Sequence, residues 1–90
     1  MGREAVLALA HAAVMGRGNV YGGPEQSLGE VARFWSVLFD REFDASDVAL
    51  ALALLKVARL KADPAHKDSV VDLAGYAACL GEISTDIGET

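Results

Sequence analysis

Ninety residues, of which 52% are hydrophobic and 23% charged, with a net charge of −5, describe one small globular domain. The content of Leu, Val and Ala excludes intrinsic disorder, and the acidic balance excludes an ordinary binder of nucleic-acid polymers. The single cysteine, Cys79, excludes a disulfide framework and a cysteine-based zinc site.

A mean hydropathy of +0.26 leaves more apolar surface than so short a chain can bury alone. Surplus apolar surface of this kind becomes an interface, so a homo-oligomer is expected. The first segment, Arg3 to about Met15, reads as a helix that is apolar on most sides. It has the look of a short signal core, but His11 and the lack of a small-residue cleavage site argue against export. A cytoplasmic protein is expected, with no membrane partner.

Four glycines between Gly16 and Gly23 predict a break, because each costs about 1 kcal/mol in a helix interior. Pro24 suits the first turn of a second helix, where its missing N–H costs nothing, and Glu25 suits the positive end of the helix dipole. Leu28, Val31, Ala32, Trp35, Leu38 and Phe39 recur at helical steps and predict its buried face. Asp40 to Phe43 forms a second break.

Asp44 or Ser46 is expected to cap a third helix, with Asp47 in its first turn. From Val48 to Leu60 the chain is apolar nearly all round, which predicts a helix that is buried or shared between subunits. Thirteen residues interrupted by Lys56 and Arg59 are too few to span a membrane, which takes about 20. Asp63-Pro64 ends this helix. Asp68, with Ser69 as the other choice, is expected to cap a fourth helix that fades near Ile83, leaving 84–90 as a loose tail. No alternating strand pattern occurs. The reading is one all-α domain over residues 1–90, a four-helix bundle-like protomer.

Three constellations could carry chemistry. Glycine-rich segments before a helix can wrap an anion. Here Arg17 adds charge, Tyr21 adds a stacking face, and Asn19 lies between them. A plain helix connection is the simpler reading of the same residues. Lys56 and Arg59 share one face of the most apolar helix, where a buried charge must be paired or face a polar site; snorkelling to the surface is the alternative. Asp68, Asp72 and Tyr76 form a stripe at four-residue steps.

A short connection makes the third and fourth helices antiparallel, so Lys56, Arg59, Asp68 and Asp72 are expected to meet at one end, with His66 nearby. That cluster is either an ion-pair network or a site in which the cations take phosphate and the carboxylates take a hydroxyl or a metal. Trp35 is core or a base-stacking side chain. Cys79 reads as a small hydrophobe, and the serines carry no nucleophile signature.

Gly16-Arg17…Tyr21-Gly22-Gly23-Pro24-Glu25, Asp47-Val48-Ala49 with Leu54-Leu55-Lys56-Val57-Ala58-Arg59, and Asp68-Ser69…Asp72…Ala74-Gly75-Tyr76-Ala77 together resemble a small phage and prophage family of unknown function. That family is distantly similar to MazG-like all-α nucleotide pyrophosphohydrolases. The resemblance implies a MazG-like helical frame, assembly as a homo-oligomer and a nucleotide ligand.

Such enzymes hold magnesium through Glu-x-x-Glu on one helix and Glu-x-x-Asp on a later one. Here Glu25 and Glu30 are five apart, and Asp68 and Asp72 are four apart. The departure favours a non-catalytic phage nucleotide-binding protein, a sponge for a host immune signalling nucleotide, with no cofactor or metal. Its expected ligand-binding residues are Arg17, Asn19, Tyr21, Trp35, Lys56, Arg59, Asp68, Asp72 and Tyr76. The alternative is a magnesium-dependent nucleoside triphosphate pyrophosphohydrolase, with Asp68, Asp72 and Glu30 or Asp47 on the metal. A second alternative is a structural oligomeric helical protein.

Overall fold

The structure, a computed structural model, describes residues 1–21 and 23–87, with side chains described for 1–16 and 23–84. Four helices follow in chain order: α1 (Arg3–Tyr21), α2 (Pro24–Phe39), α3 (Ala45–Ala62) and α4 (Lys67–Ile87). Among the described residues there is no strand, so the all-α expectation holds.

The predicted break at Gly16 is corrected, because α1 continues to Tyr21. Glycine carries a propensity penalty, not a prohibition. A helix already nucleated over three turns gains a hydrogen bond for each added residue, and this offsets the cost at Gly16 and Gly18. Pro24 takes the first turn of α2 as expected, behind Gly23 in extended geometry.

At its other end α2 closes on Asp40, whose left-handed backbone (φ 52°, ψ 48°) lets its N–H reach the Ser36 carbonyl. The Ser36 hydroxyl donates to the Ala32 carbonyl at 2.7 Å and accepts from the Phe43 N–H at 3.0 Å. It therefore satisfies the connection to α3 from inside α2. Asp44, not Ser46, caps α3 in a reciprocal box: its carboxylate accepts from the Asp47 N–H at 2.9 Å, and the Asp47 carboxylate accepts from the Asp44 N–H at 3.0 Å.

Asp63 and Pro64 turn the chain between α3 and α4. The His66 N–H donates to the Asp63 carbonyl, and the Ala65 N–H donates to the Asp63 carboxylate. The expected cap at Asp68 or Ser69 is corrected. Helix α4 opens at Lys67, and His66 supplies the acceptor, its Nδ1 taking the Ser69 N–H at 3.2 Å. The Ser69 hydroxyl lies 2.8 Å from the same nitrogen. An imidazole nitrogen thus does the work sequence rules assign to a short oxygen side chain. Helix α4 also runs to Ile87, beyond the expected fading near Ile83.

The core holds mostly small residues: among the described residues Ala10, Ala32, Val48, Ala49, Ser69, Gly75 and Ile83 are buried. Small side chains let helix backbones approach closely. Helix α4 is the hub: it packs along α3 on one side and α1 on the other, while α2 lies mainly on α3. Among the described residues helix α1 has no packing against α3 and barely touches α2, so the α1–α2 edge of the bundle is an open seam.

Helix α3, expected to be buried or shared between subunits, is not buried within one chain. Val48 and Ala49 face inward, whereas Leu50, Leu54, Leu55 and Val57 are exposed. Two neighbours can cover only part of a cylinder whose apolar residues point in every direction. Leu38 and Phe39 of α2, placed on its buried face by their spacing, are exposed for the same reason.

Candidate functional site

The open seam forms a cleft of about 130 Å³. Ala13 and Val14 of α1 form one wall, and Pro24, Ser27 and Leu28 in the first turns of α2 form the other. The floor is α4, through Val71, Asp72, Gly75, Tyr76 and Cys79. The floor follows directly from helical spacing: positions i, i+1, i+4, i+5 and i+8 make one continuous face. The lining is largely apolar, with the Asp72 carboxylate, the Tyr76 phenol and the Ser27 hydroxyl as its polar groups.

Asp72 is fixed from outside the cleft. Lys56 reaches from α3 to its carboxylate, with Nζ 3.0 Å from Oδ2. The lysine side chain is 13% exposed and the aspartate 42%, so the ammonium is the more deeply placed partner. The pair orients one carboxylate oxygen toward α3 and leaves the rest of the group beside the cleft. Ser27 donates to the Gly23 carbonyl at 3.4 Å and keeps its lone pairs free to accept.

Of the residues singled out in sequence, Asp72 and Tyr76 line the cleft, and Lys56 stands behind Asp72. The expected four-residue cluster does not form. Arg59 is exposed at the basic end of α3, and Asp68 is exposed in the first turn of α4, one turn beyond the cleft. A stripe drawn at 68, 72 and 76 catches the right helix but starts a turn too early.

Trp35 is also corrected as a stacking side chain at this site. It lies among Leu38, Phe39, Arg41 and Phe43 at the α2–α3 connection, edge-on to Phe43 with ring centroids 5.8 Å apart. The Arg41 guanidinium stands 5.6 Å from the Phe43 ring centre on the same cluster. The side chains of Arg17, Asn19 and Tyr21 lie outside the described residues.

Three of the four carboxylates considered for a metal are engaged separately, and the fourth, Asp68, is exposed a turn away from Asp72. Glu30 pairs with Arg33 along α2, Asp47 serves the α3 cap, and Asp72 holds Lys56. Among the described residues no three His, Cys, Asp or Glu side chains converge on a point that could hold a metal ion. Sequence reasoning passed over Ser27, Gly75 and the wall residues Val14 and Leu28. The available signal was the face 71–72–75–76–79, which pairs every polar cleft group of α4 with a small or apolar neighbour.

The fold and cleft define a small all-α protein with a shallow, mainly apolar slot. Among the described residues no helix is long and apolar enough to cross a membrane. The chain belongs to a family described as a domain of unknown function, DUF6378, whose pattern matches residues 5–84. It is 36% identical over 81 residues to the Gene 55 protein of Mycobacterium phage D29, covering 89% of this chain and 54% of that protein. It is 39% identical over 66 residues to the Gene 55 protein of Mycobacterium phage L5, covering 71% of this chain and 42% of the relative. The chain thus spans about half the length of these curated phage relatives. No solved structure matches it.

Proposed function

We propose that this chain is a phage-type nucleotide-binding protein that holds its ligand without cleaving it, a sponge that sequesters a signalling nucleotide of host defence. The observation that carries the reading is the cleft that gathers Asp72, Tyr76 and Ser27 around an apolar slot. Its 130 Å³ is well under the roughly 300–1,000 Å³ of a pocket that encloses a whole ligand. It is close to the about 150 Å³ in which a benzene-sized ring fits.

The slot therefore takes one planar moiety, a nucleobase, and the sugar and phosphates lie outside along the seam. Tyr76 supplies the stacking face, and the Asp72 carboxylate accepts from base or ribose donors. Arg17, in the last turns of α1, takes the phosphates. Lys56 acts by fixing Asp72, not by meeting phosphate.

Non-catalytic binding is favoured over the pyrophosphohydrolase reading because phosphoanhydride cleavage needs carboxylates converging on magnesium, and among the acidic groups named for that role Glu30, Asp47 and Asp72 are each engaged with a different partner. The test is titration calorimetry of the 90-residue chain with cyclic and linear nucleotides and the matching nucleosides. Micromolar binding is expected, weakened at least tenfold by Tyr76→Ala. Arg17→Ala is expected to weaken nucleotides but not nucleosides. After denaturation of the complex, chromatography should return the ligand chemically intact. No binding tighter than about 1 mM, or release of pyrophosphate, would contradict the proposal.

A further inference from the structure

We infer that the outer stripe of α3 is a self-complementary interface that pairs two copies of this chain antiparallel. Asp47, Leu50, Leu54, Val57 and Lys61 follow one another at steps of three, four, three and four. That is the spacing of a helix seam that meets another helix along its length. All five are exposed, Leu50 to 52%, Leu54 to 65% and Val57 to 46%. They lie opposite the face that carries Val48, Ala49 and Lys56 into the protomer.

The stripe begins in an acid and ends in a base, and Leu54 is its midpoint. Turned about a two-fold axis through Leu54, the same stripe places Leu54 against the partner's Leu54 and Leu50 against the partner's Val57. Asp47 then meets the partner's Lys61 at both ends. Opposite charges thus close each end of an apolar centre, and the two helix dipoles run in opposite directions.

The end charges are available for this. Asp47 uses only Oδ2 in the α3 cap. Lys61 makes no ion pair among the described residues. Helix α2 also exposes Phe34, Val37 and Leu38, but the charges that flank them are engaged within the protomer: Glu30 with Arg33, and Arg41 over Phe43.

The surface area points the same way. The chain exposes 6358 Å². A compact monomer of 9.4 kDa exposes about 5,000 Å². The surplus of about 1,300 Å² exceeds the roughly 800 Å² per partner of a standard interface.

The test is sedimentation equilibrium of the full chain at 10–100 µM, a range of about one decade suited to typical reversible dimers. The expected mass is about twice 9.4 kDa. Leu54→Glu sets two carboxylates against each other at the axis and should weaken association more than tenfold, while circular dichroism keeps its helical signal. Lys61→Glu, which faces the partner's Asp47, should weaken it about tenfold at low salt and less at high salt. Leu54→Cys should form an intermolecular disulfide on mild oxidation, and Leu7→Cys on α1 should not. A monomeric native chain, or a dimer unchanged by Leu54→Glu, overturns the inference.

Discussion

The Lys56 ammonium and the Asp72 carboxylate, 3.0 Å apart, join α3 to α4 directly behind the cleft. Their unequal burial sets the cost of breaking the pair. Asp72→Asn strands a nearly buried ammonium, whereas Lys56→Met leaves a carboxylate that still reaches water. Asp72→Asn should therefore destabilise by about 1–3 kcal/mol and Lys56→Met by less than about 1 kcal/mol. Urea unfolding followed by circular dichroism checks the order. Equal costs, or the reverse order, would mean that the lysine is not held as described.

His66 makes a second prediction at the start of the same helix. Its Nδ1 accepts the Ser69 N–H and faces the fully buried Ser69 hydroxyl. His66→Ala should cost about 1 kcal/mol, the usual worth of a helix cap, and His66→Asn should recover most of it. The measurement is again the urea midpoint, and an unchanged midpoint in the alanine variant would remove the cap.

Gly75 separates stability from binding. It is buried on the cleft floor inside α4, and an added Cβ would lie 3.5 Å from Val14 Cγ2, an ordinary contact. Gly75→Ala should therefore stabilise by about 0.5–1 kcal/mol through helix propensity. The same methyl narrows the slot between α1 and α4, so nucleotide affinity should fall. A thermal melt and a calorimetric titration of one variant read both signs, and a variant that is more stable and binds as well as the native chain would place the ligand elsewhere.

The sequence made much of the fold readable. Pro24, Asp44 and the Asp63-Pro64 pair mark element ends through backbone chemistry that acts locally, and the structure keeps all three. Local rules failed where a neighbour decided the matter. Gly16 stays helical because the preceding turns carry it, and α4 starts early because His66, not an aspartate, finds the orphan N–H. The candidate site was legible only in part. Asp72, Tyr76 and Lys56 stood out as polar groups on apolar helices, and spacing alone could show that Asp72 and Tyr76 share a face. It could not show that Arg59 and Asp68 point to solvent, or that the seam opens between α1 and α2 and so makes Ser27 and Gly75 part of the lining. Those facts depend on which helices pack together, which no single-helix pattern contains.

Residue-resolved NMR of the isotopically labelled chain, titrated with a nucleotide that binds, tests the central proposal most directly. Amide shifts should concentrate at Ser27, Asp72, Gly75, Tyr76 and Cys79, with Trp35, Phe39 and Phe43 at the far end of α2 unmoved. Shifts confined to the Trp35–Phe43 cluster or to the outer stripe of α3, with the cleft silent, would contradict it.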